Sequence, residues 1–509
     1  MAKPSIKTGP LGYLIRTEAA APILVMLVAV ILRFYQLGEE SLWTDEGCSL
    51  SDAMHSSFMN STRPVYYLLL RVWMHLGLGN SEFALRIPAA LFGAASVWAL
   101  YVLGKRIFGQ SIALLASTFM AISTLQLNHA QEVRMYSLVS LMSVVSMYVF
   151  VLWRDRGGVK YAAAYFVSTL MLLLTFPLTV FVPIAQGFYV LLYQRSLRRF
   201  VKPFLITGSL TVLAWSPSLI FNMCMAKGFS EGYIASLEKP TVLSAIRHLG
   251  DFFLWKVQAS SGPQAIVAIV FSALVIMLAL YSLKFYRTSY TNLSLTWLWL
   301  LVPFFGTILL CFKVTNMWMV RYLIAASPAF YLLTAKGIMS IKNKQFAAAA
   351  AFAIISITLG RTWFYYIKPV RAEWRPAVQY MQAHSQPGDV VGIYSPANDV
   401  LFNYYYQGKS KWSPMGTDLD FGEQFNKWDD RKTARFFADY PYTGKRFWLM
   451  LSNHTYRGGF SVIKYVEGHY RVIEHRKYND LEFYLFDAGG KPVPKERLRK
   501  VGADTCHRS

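Results

Sequence analysis

The chain has 509 residues, of which 54% are hydrophobic and only 16% charged, with a mean hydropathy of +0.32. Soluble domains carry about 25% charged residues, so a soluble globular protein is excluded. The formal net charge of +23 comes from basic residues at the ends of apolar runs and in the C-terminal tail. That is a membrane-protein pattern, and no nucleic-acid partner is expected.

In chain order, apolar runs fall near 19–37, 84–104, 111–128, 135–153, 161–176, 177–193, 203–221, 263–283, 293–312, 322–338 and 346–367. Most are long enough to cross a hydrocarbon core of about 30 Å. The pair at 161–193 is one long apolar stretch that Pro177 and Pro183 split into two short helices. The first run, Ala19–Leu37, is long and lacks a small-residue cleavage site, so a cleaved signal peptide is not expected. The fold class predicted is a polytopic α-helical membrane protein of about eleven transmembrane helices.

Charge sets the orientation. Lys3, Lys7 and Arg16 precede the first run, and Lys105-Arg106, Arg154/Arg156/Lys160, Arg195/Arg198/Arg199/Lys202, Lys284/Arg287 and Lys342/Lys344 occupy every second loop. The positive-inside rule makes those loops cytoplasmic and the N-terminus internal. The alternate loops are acidic or mixed, with Glu39, Glu40, Asp45, Glu46 and Asp52 in the first of them. Pro64–Gly77 is apolar but about fourteen residues long and contains Arg71 and His75. It is too short to span and is predicted to lie flat on the outer face, in a stretch of interfacial helix near 46–77. A spanning reading would throw Lys105-Arg106 outside and break the alternation.

Composition turns polar near Lys368, so the chain divides into a transmembrane part, 1–368, and an extracytoplasmic α/β domain, 369–509. In that domain Glu373-Trp374-Arg375-Pro376 opens a helix to about His384, Pro387-Gly388-Asp389 is a turn, and Val390–Tyr394 is a buried strand. Asp399–Tyr406 and Asp429–Tyr440 read as helices, and Arg446–Ser452 as a strand. Tyr470–His475 and Leu481–Phe486 form a hairpin across Asn479-Asp480. The four cysteines, Cys48, Cys224, Cys311 and Cys506, show no metal spacing.

The candidate chemistry begins at Asp45-Glu46. The plain reading is a solvated loop or a helix start, since acidic residues favour a first helical turn. Their company argues for more. Arg63, Arg86, Arg134 and Arg321 all fall at outer span ends, the side that should be poor in cations. Any one alone is a snorkelling side chain, whereas four beside two carboxylates indicate a charged pocket. Guanidinium forks suit phosphate oxygens. Tyr66, Tyr67, Tyr136 and Tyr322 accompany them, as an aromatic belt or as hydrogen-bond donors to phosphate or sugar hydroxyls. Adjacent carboxylates in an extended segment point apart and do not make the facing pair of a retaining glycosidase. One base with one supporting acid fits a displacement at an activated anomeric carbon. There is no clear ligand motif for a divalent metal. His129 and His248, with Glu82 or Glu132, are the available ligands, and locally satisfied histidines are the commoner reading. No nucleotide-binding glycine motif is visible, so no cofactor is expected.

These residues carry a resemblance. Thr44-Asp45-Glu46, Pro64-Val65-Tyr66-Tyr67-Leu68-Leu69-Leu70, Ser81–Gly93, Leu103–Gly109, Gln131–Leu138 and Arg321-Tyr322 resemble, in order and spacing, the bacterial relatives of protein O-mannosyltransferases in the glycosyltransferase C superfamily. Glu373-Trp374-Arg375 resembles the usual start of that family's extracytoplasmic domain. The resemblance implies inverting transfer of a sugar from a polyprenyl-phosphate donor to a lipid, glycan or protein acceptor, at the outer face of the cytoplasmic membrane. It implies Asp45 as general base or acceptor-orienting carboxylate, assisted by Glu46, with Arg86 and Arg134 holding the pocket or the donor phosphate and Arg321 a further phosphate ligand. Relatives often carry His-Pro-Pro where this chain reads Arg63-Pro64-Val65. Were the acceptor itself a phosphate, as for the lipid A aminoarabinose transferases of the superfamily, Asp45 would not need to act as a base. A lipid-linked sugar transporter or flippase is the competing reading. The charges lie at span ends and no inverted repeat is visible, which disfavours it.

Overall fold

A computed structural model describes residues 10–58, 60–229, 239–255, 263–313, 317–368, 371–394, 398–408, 411–415, 446–452, 463–464, 466–479 and 481–487. The helices in chain order are α1 (Pro10–Phe34), α2 (Thr44–His55), α3 (Pro64–His75), α4 (Glu82–Phe108), α5 (Gln110–Ile122), α6 (Thr124–Ala130), α7 (Tyr136–Arg156), α8 (Val159–Thr175) and α9 (Phe181–Leu192). They continue with α10 (Arg198–Phe229), α11 (Val242–Leu254), α12 (Pro263–Tyr281), α13 (Tyr286–Lys313), α14 (Ser327–Met339), α15 (Lys344–Ile367), α16 (Trp374–His384) and α17 (Asp399–Tyr405). Among the described residues the strands are β1 (Val390–Tyr394), β2 (Lys411–Met415), β3 (Arg446–Ser452), β4 (Arg471–Tyr478) and β5 (Leu481–Asp487). The chain forms two units, one of residues 1–37, 57–221 and 238–368, the other of 38–56, 222–237 and 369–509.

The first unit is a helical membrane protein. All eleven expected apolar runs are helical. Among the described residues seven helices are long and apolar enough to cross a membrane, and α5 with α6, counted as one bent span, brings the number to eight. Ala20–Phe34, Val159–Thr175 and Pro177–Leu192 are shorter apolar helices. The expected break is present at Pro177, as a 3-10 turn over Pro177–Val180, whereas Pro183 lies within the first turn of α9. The 111–128 run differs from expectation, because it is bent by 58° between α5 and α6. Ser123 stands at the bend. Its hydroxyl accepts from Gln126 N at 3.3 Å as the cap of α6, and donates to the Phe252 carbonyl at 2.6 Å. The open end of α5 is closed by other buried side chains. Thr362 Oγ1 donates to the Ile122 carbonyl at 2.9 Å. Arg33, fully buried in α1, donates to Met120 O at 3.3 Å and Ala121 O at 3.1 Å. A cation at a helix C-terminus also suits the macrodipole. Gly93 makes room for it, since a Cβ there would stand 3.0 Å from Arg33 Nε.

One end of this unit is tied by Arg154, which donates to Tyr189 Oη at 3.0 Å and Asn292 Oδ1 at 3.2 Å and pairs with Asp155. Asp155 also pairs with Arg106 at 2.8 Å. The ends of α4, α7 and α9 and the start of α13 therefore share a side, in keeping with the charge alternation read from sequence. α3 buries Pro64, Tyr66, Tyr67 and Leu70 and exposes Leu68, Leu69, Val72 and Leu76. Its twelve residues span about 18 Å, too short to cross.

The second unit is built on a mixed sheet of order β2-β1-β3-β5-β4. β1 pairs in parallel with β2 and β3, and β5 pairs antiparallel with β3 and β4. Parallel neighbours need crossover connections, and α17 supplies the one from β1 to β2. The strand β2 was not anticipated, because Pro414 within it reads as a breaker. It is tolerated because β2 is an edge strand. Trp374, Ala377, Val378 and Met381 form the buried stripe of α16, a helical period against the sheet. Asn479 turns the expected hairpin with φ +46°, and Gly388 takes φ +93° in the turn before β1. The Asp429–Tyr440 helix lies outside the described residues. Residues 38–56, assigned by composition to the membrane part, pack with this unit. Arg371 pairs with Glu40 at 3.2 Å, Tyr405 Oη accepts from Leu42 N at 2.7 Å, and Gly47 admits the Leu401 side chain.

Two outcomes are expected. Arg33→Leu leaves the carbonyls of Met120 and Ala121 without this donor, at about 1–3 kcal/mol per buried acceptor. Thermal unfolding of the reconstituted protein is expected to fall accordingly. In the sheet, partial burial raises the Glu474 pKa, but hydrogen bonds from Tyr380 and Arg476 outweigh it and hold it below the usual 4.5. A lowered carboxylate stabilises the fold above its ordinary pKa and loses that contribution as pH falls through the lower folded value. Backbone hydrogen exchange in β4 is expected to accelerate on acidification below about pH 4 in the wild type, and to lose this acid dependence in Glu474→Gln.

Candidate functional site

Within the membrane unit, three of the four expected arginines converge on one aromatic cluster. Phe176 is its centre, with its ring 6.0 Å from Tyr136 and 5.6 Å from Tyr322. The Arg63 guanidinium lies 5.8 Å over Phe176, Arg134 lies 5.9 Å over Tyr136, and Arg321 lies 5.9 Å over Tyr136 and 5.4 Å over Tyr322. Each cation–π contact is worth about 0.5–2 kcal/mol. Arg134 and Arg321 share one ring, so their centres are no more than twice 5.9 Å apart. At an effective dielectric of about 20 they repel by about 1.4 kcal/mol or more.

Each member stands at a break in regular helix. Arg63 is the N-cap residue of α3, with Pro64 fixing the first turn. It donates to Thr62 Oγ1 at 3.2 Å and Tyr67 Oη at 3.1 Å. Burial opposes its charge, but the neighbouring Tyr67 and that hydrogen bond push its pKa up. Phe176 closes α8, and Thr179 Oγ1 donates to its carbonyl at 2.6 Å. Arg321 and Tyr322 sit on a 3-10 segment, Val320–Ala326, whose Ala325 carbonyl accepts from Ser143 Oγ at 2.7 Å and Trp299 Nε1 at 2.9 Å. Arg134 and Tyr136 follow a tight turn between α6 and α7, in which Gln131 Nε2 donates to the Arg33 and Tyr35 carbonyls at 3.2 and 2.8 Å. Tyr365 Oη donates to Gln131 Oε1 at 2.9 Å.

The remaining expected residues are placed differently. Arg86, fully buried, donates to the Leu37 carbonyl at 3.1 Å, just beyond α1. Tyr66 and Tyr67 stack edge to face at 5.7 Å, and of the two it is Tyr67 that bonds Arg63. Asp45 and Glu46 belong to the second unit, on the first turn of α2 rather than on an extended segment. Consecutive helical residues project about 100° apart, so the pair is again not a facing one. Glu46, fully buried, accepts the Trp43 backbone N–H at 3.2 Å, the acidic half of a capping box. Asp45 is partly exposed, and its carbonyl accepts from Ser49 Oγ at 3.2 Å.

Sequence reading missed Phe176, whose only mark is its place before Pro177. It gave His129 and His248 as available ligands with Glu82 or Glu132. The structure pairs His129 Nδ1 with Glu132, both 2% exposed. His248 instead stacks on Trp318 at 4.7 Å and lies 3.7 Å from Asp251. Among the described residues no three His, Cys, Asp or Glu side chains are grouped to hold a metal ion.

The family model for dolichyl-phosphate-mannose-protein mannosyltransferase matches residues 61–221. No curated protein matches the chain in sequence. Among solved structures the chain is similar to ArnT from Cupriavidus metallidurans bound to undecaprenyl phosphate, with 12% identity, TM-score 0.55, and 91% of this chain and 97% of that one covered. It is similar to the Archaeoglobus fulgidus oligosaccharyltransferase complex with Zn and sulfate, with 12% identity, TM-score 0.54, and coverage of 91% and 72%. It is also similar to AglB from Archaeoglobus fulgidus in complex with an inhibitory peptide and a dolichol-phosphate, with 11% identity, TM-score 0.55, and coverage of 94% and 75%. The chain shares its fold with these membrane-protein structures.

Glu46→Ala is expected to speed hydrogen exchange in the first turn of α2, the loss of a capping contact costing about 1 kcal/mol. Glu46→Gln, which keeps an acceptor for Trp43 N–H, is expected to restore most of that protection.

Proposed function

We propose that the protein is an inverting glycosyltransferase that moves a sugar from a polyprenyl-phosphate donor to a cell-envelope lipid, polysaccharide or protein. The reaction takes place at the outer face of the cytoplasmic membrane, with the N-terminus inside and the C-terminal domain outside. The observation that carries this reading is the gathering of Arg63, Arg134 and Arg321 around Phe176, Tyr136 and Tyr322. Three cations held on aromatic faces, Arg134 buried and Arg63 and Arg321 half-buried, repel one another and favour an oxyanion between them. Their preorganised charge acts where negative charge grows on a departing phosphate. The fold shared with a structure bound to undecaprenyl phosphate supports the same choice of donor.

The other half of the reaction needs a base on the acceptor hydroxyl. Asp45 takes that role, since it is the partly exposed member of the pair. Glu46, engaged with the Trp43 amide, fixes the turn that presents it. Arg86 holds the chain just beyond α1. Tyr67 orients Arg63, and Tyr66 packs against Tyr67.

Asp45→Asn is expected to abolish transfer while leaving expression and membrane insertion unchanged. Arg134→Ala and Arg321→Ala are each expected to weaken undecaprenyl phosphate binding about 10- to 100-fold, the loss of a charge-assisted hydrogen bond of about 1.5–3 kcal/mol. Mass spectrometry of cell-envelope glycans and lipids with and without the gene identifies sugar and acceptor together. Movement of a lipid-linked sugar across liposomes with no new glycosidic bond would establish the flippase reading instead.

A further inference from the structure

One buried pair beside the guanidinium cluster has no part in the reaction as described so far. His129 lies on the last turn of α6, with Glu132 against its Nδ1. Ser137 Oγ donates to the His129 carbonyl at 2.6 Å, which fixes the backbone at the imidazole. The imidazole centre is 4.7 Å from the Tyr136 ring, and Tyr136 underlies both Arg134 and Arg321. Two neighbouring buried atoms, His129 Nε2 and the Tyr136 hydroxyl, have no hydrogen-bond partner among the described residues. Native proteins seldom leave such atoms unpaired. Two together, next to gathered guanidinium groups, mark a place for an oxygen-rich anion.

We propose that His129 is the proton donor to the phosphate oxygen released when the sugar leaves, with Glu132 as its positioning residue. The inference rests on the donor-phosphate reading above. Glu132 at Nδ1 fixes the orientation of the imidazole, which leaves Nε2 as the ring atom that can hold and give a proton. As the acceptor oxygen bonds to the anomeric carbon, the bond from that carbon to the phosphate oxygen breaks and its electron pair stays on the oxygen. The acceptor's proton goes to the base, and the Nε2 proton goes to the departing phosphate. A neutral imidazole remains, with Nδ1–H on Glu132, and solvent reprotonates it after product leaves.

The groups facing the imidazole among the described residues are Glu132 from its own turn, Tyr136 from α7 and the neutral indole of Trp255 after α11, at 6.0 Å. Arg361 of α15 is engaged by the Leu254 and Trp255 carbonyls, and Arg33 of α1 by those of Ala29, Met120 and Ala121. On α11, His248 and Asp251 face each other. Where α4 packs on α6 it presents Gly93 to Ala130.

The test uses the full chain in lipid nanodiscs with undecaprenyl phosphate as probe. A 31P titration reports ionisation of the bound phosphate, and 15N-histidine spectra report His129, assigned by the signal lost in His129→Gln. The wild type is expected to bind, and adding undecaprenyl phosphate is expected to move the His129 Nε2 signal. In His129→Gln the bound phosphate is expected to titrate about one pH unit higher, because a nearby cation that favours the dianion is gone. Glu132→Gln is expected to fall between the two. His129→Asn replaces the glutamine variant should that one fail to fold. An unmoved His129 signal together with equal 31P midpoints in wild type and variant overturns the proton-donor role while leaving the donor reading intact. Absence of any binding by the wild type overturns both.

Discussion

The membrane unit depends on how its broken backbone is satisfied. A helix interrupted inside a membrane protein exposes carbonyls and amides that lipid cannot solvate, so the break survives only where other protein groups take them up. Between α5 and α6 this is done by Arg33, Ser123 and Thr362, each bonded to main-chain atoms at or beside the bend. Tyr331 adds hydrogen bonds to Ser123 Oγ at 2.9 Å and to the Phe252 carbonyl. A buried arginine is costly, and here its charge is spent on helix-end carbonyls rather than on a ligand.

What the bend delivers is a short helix and a turn, Thr124 to Met135, that places His129, Glu132, Arg134 and Tyr136 together. The same logic recurs at Phe176 and along Val320–Ala326, where Thr179, Ser143 and Trp299 take up the freed carbonyls. The cluster therefore assembles from helix interruptions, each with its own internal support. That arrangement lets charged side chains leave the helical repeat and turn toward one another, which a continuous span would prevent.

The two units divide the chemistry expected of the chain. Cation and aromatic groups belong to the helical part, whereas Asp45 and Glu46 are carried on a helix that packs against α17 through Gly47 and Leu401. Asn398 accepts from Thr44 Oγ1 at 2.9 Å within the same unit. The carboxylate pair is thus fixed by the C-terminal domain's own packing, and Glu46 doubles as a helix cap.

Sequence by itself determined the membrane class, the apolar helical runs, the break at Pro177, the strands of the hairpin and that Arg63, Arg134 and Arg321 fall on one side. Those features follow from local composition, run length and charge alternation, which act residue by residue. Tertiary structure alone decided that Phe176 would be the common floor, that Arg86 would bond the chain just beyond α1, that His129 would pair with Glu132, and that residues 38–56 would fold with the C-terminal domain. These outcomes turn on contacts between segments far apart in the chain, and on which buried polar atom finds a partner. Neither quantity is written in the periodicity of any one segment.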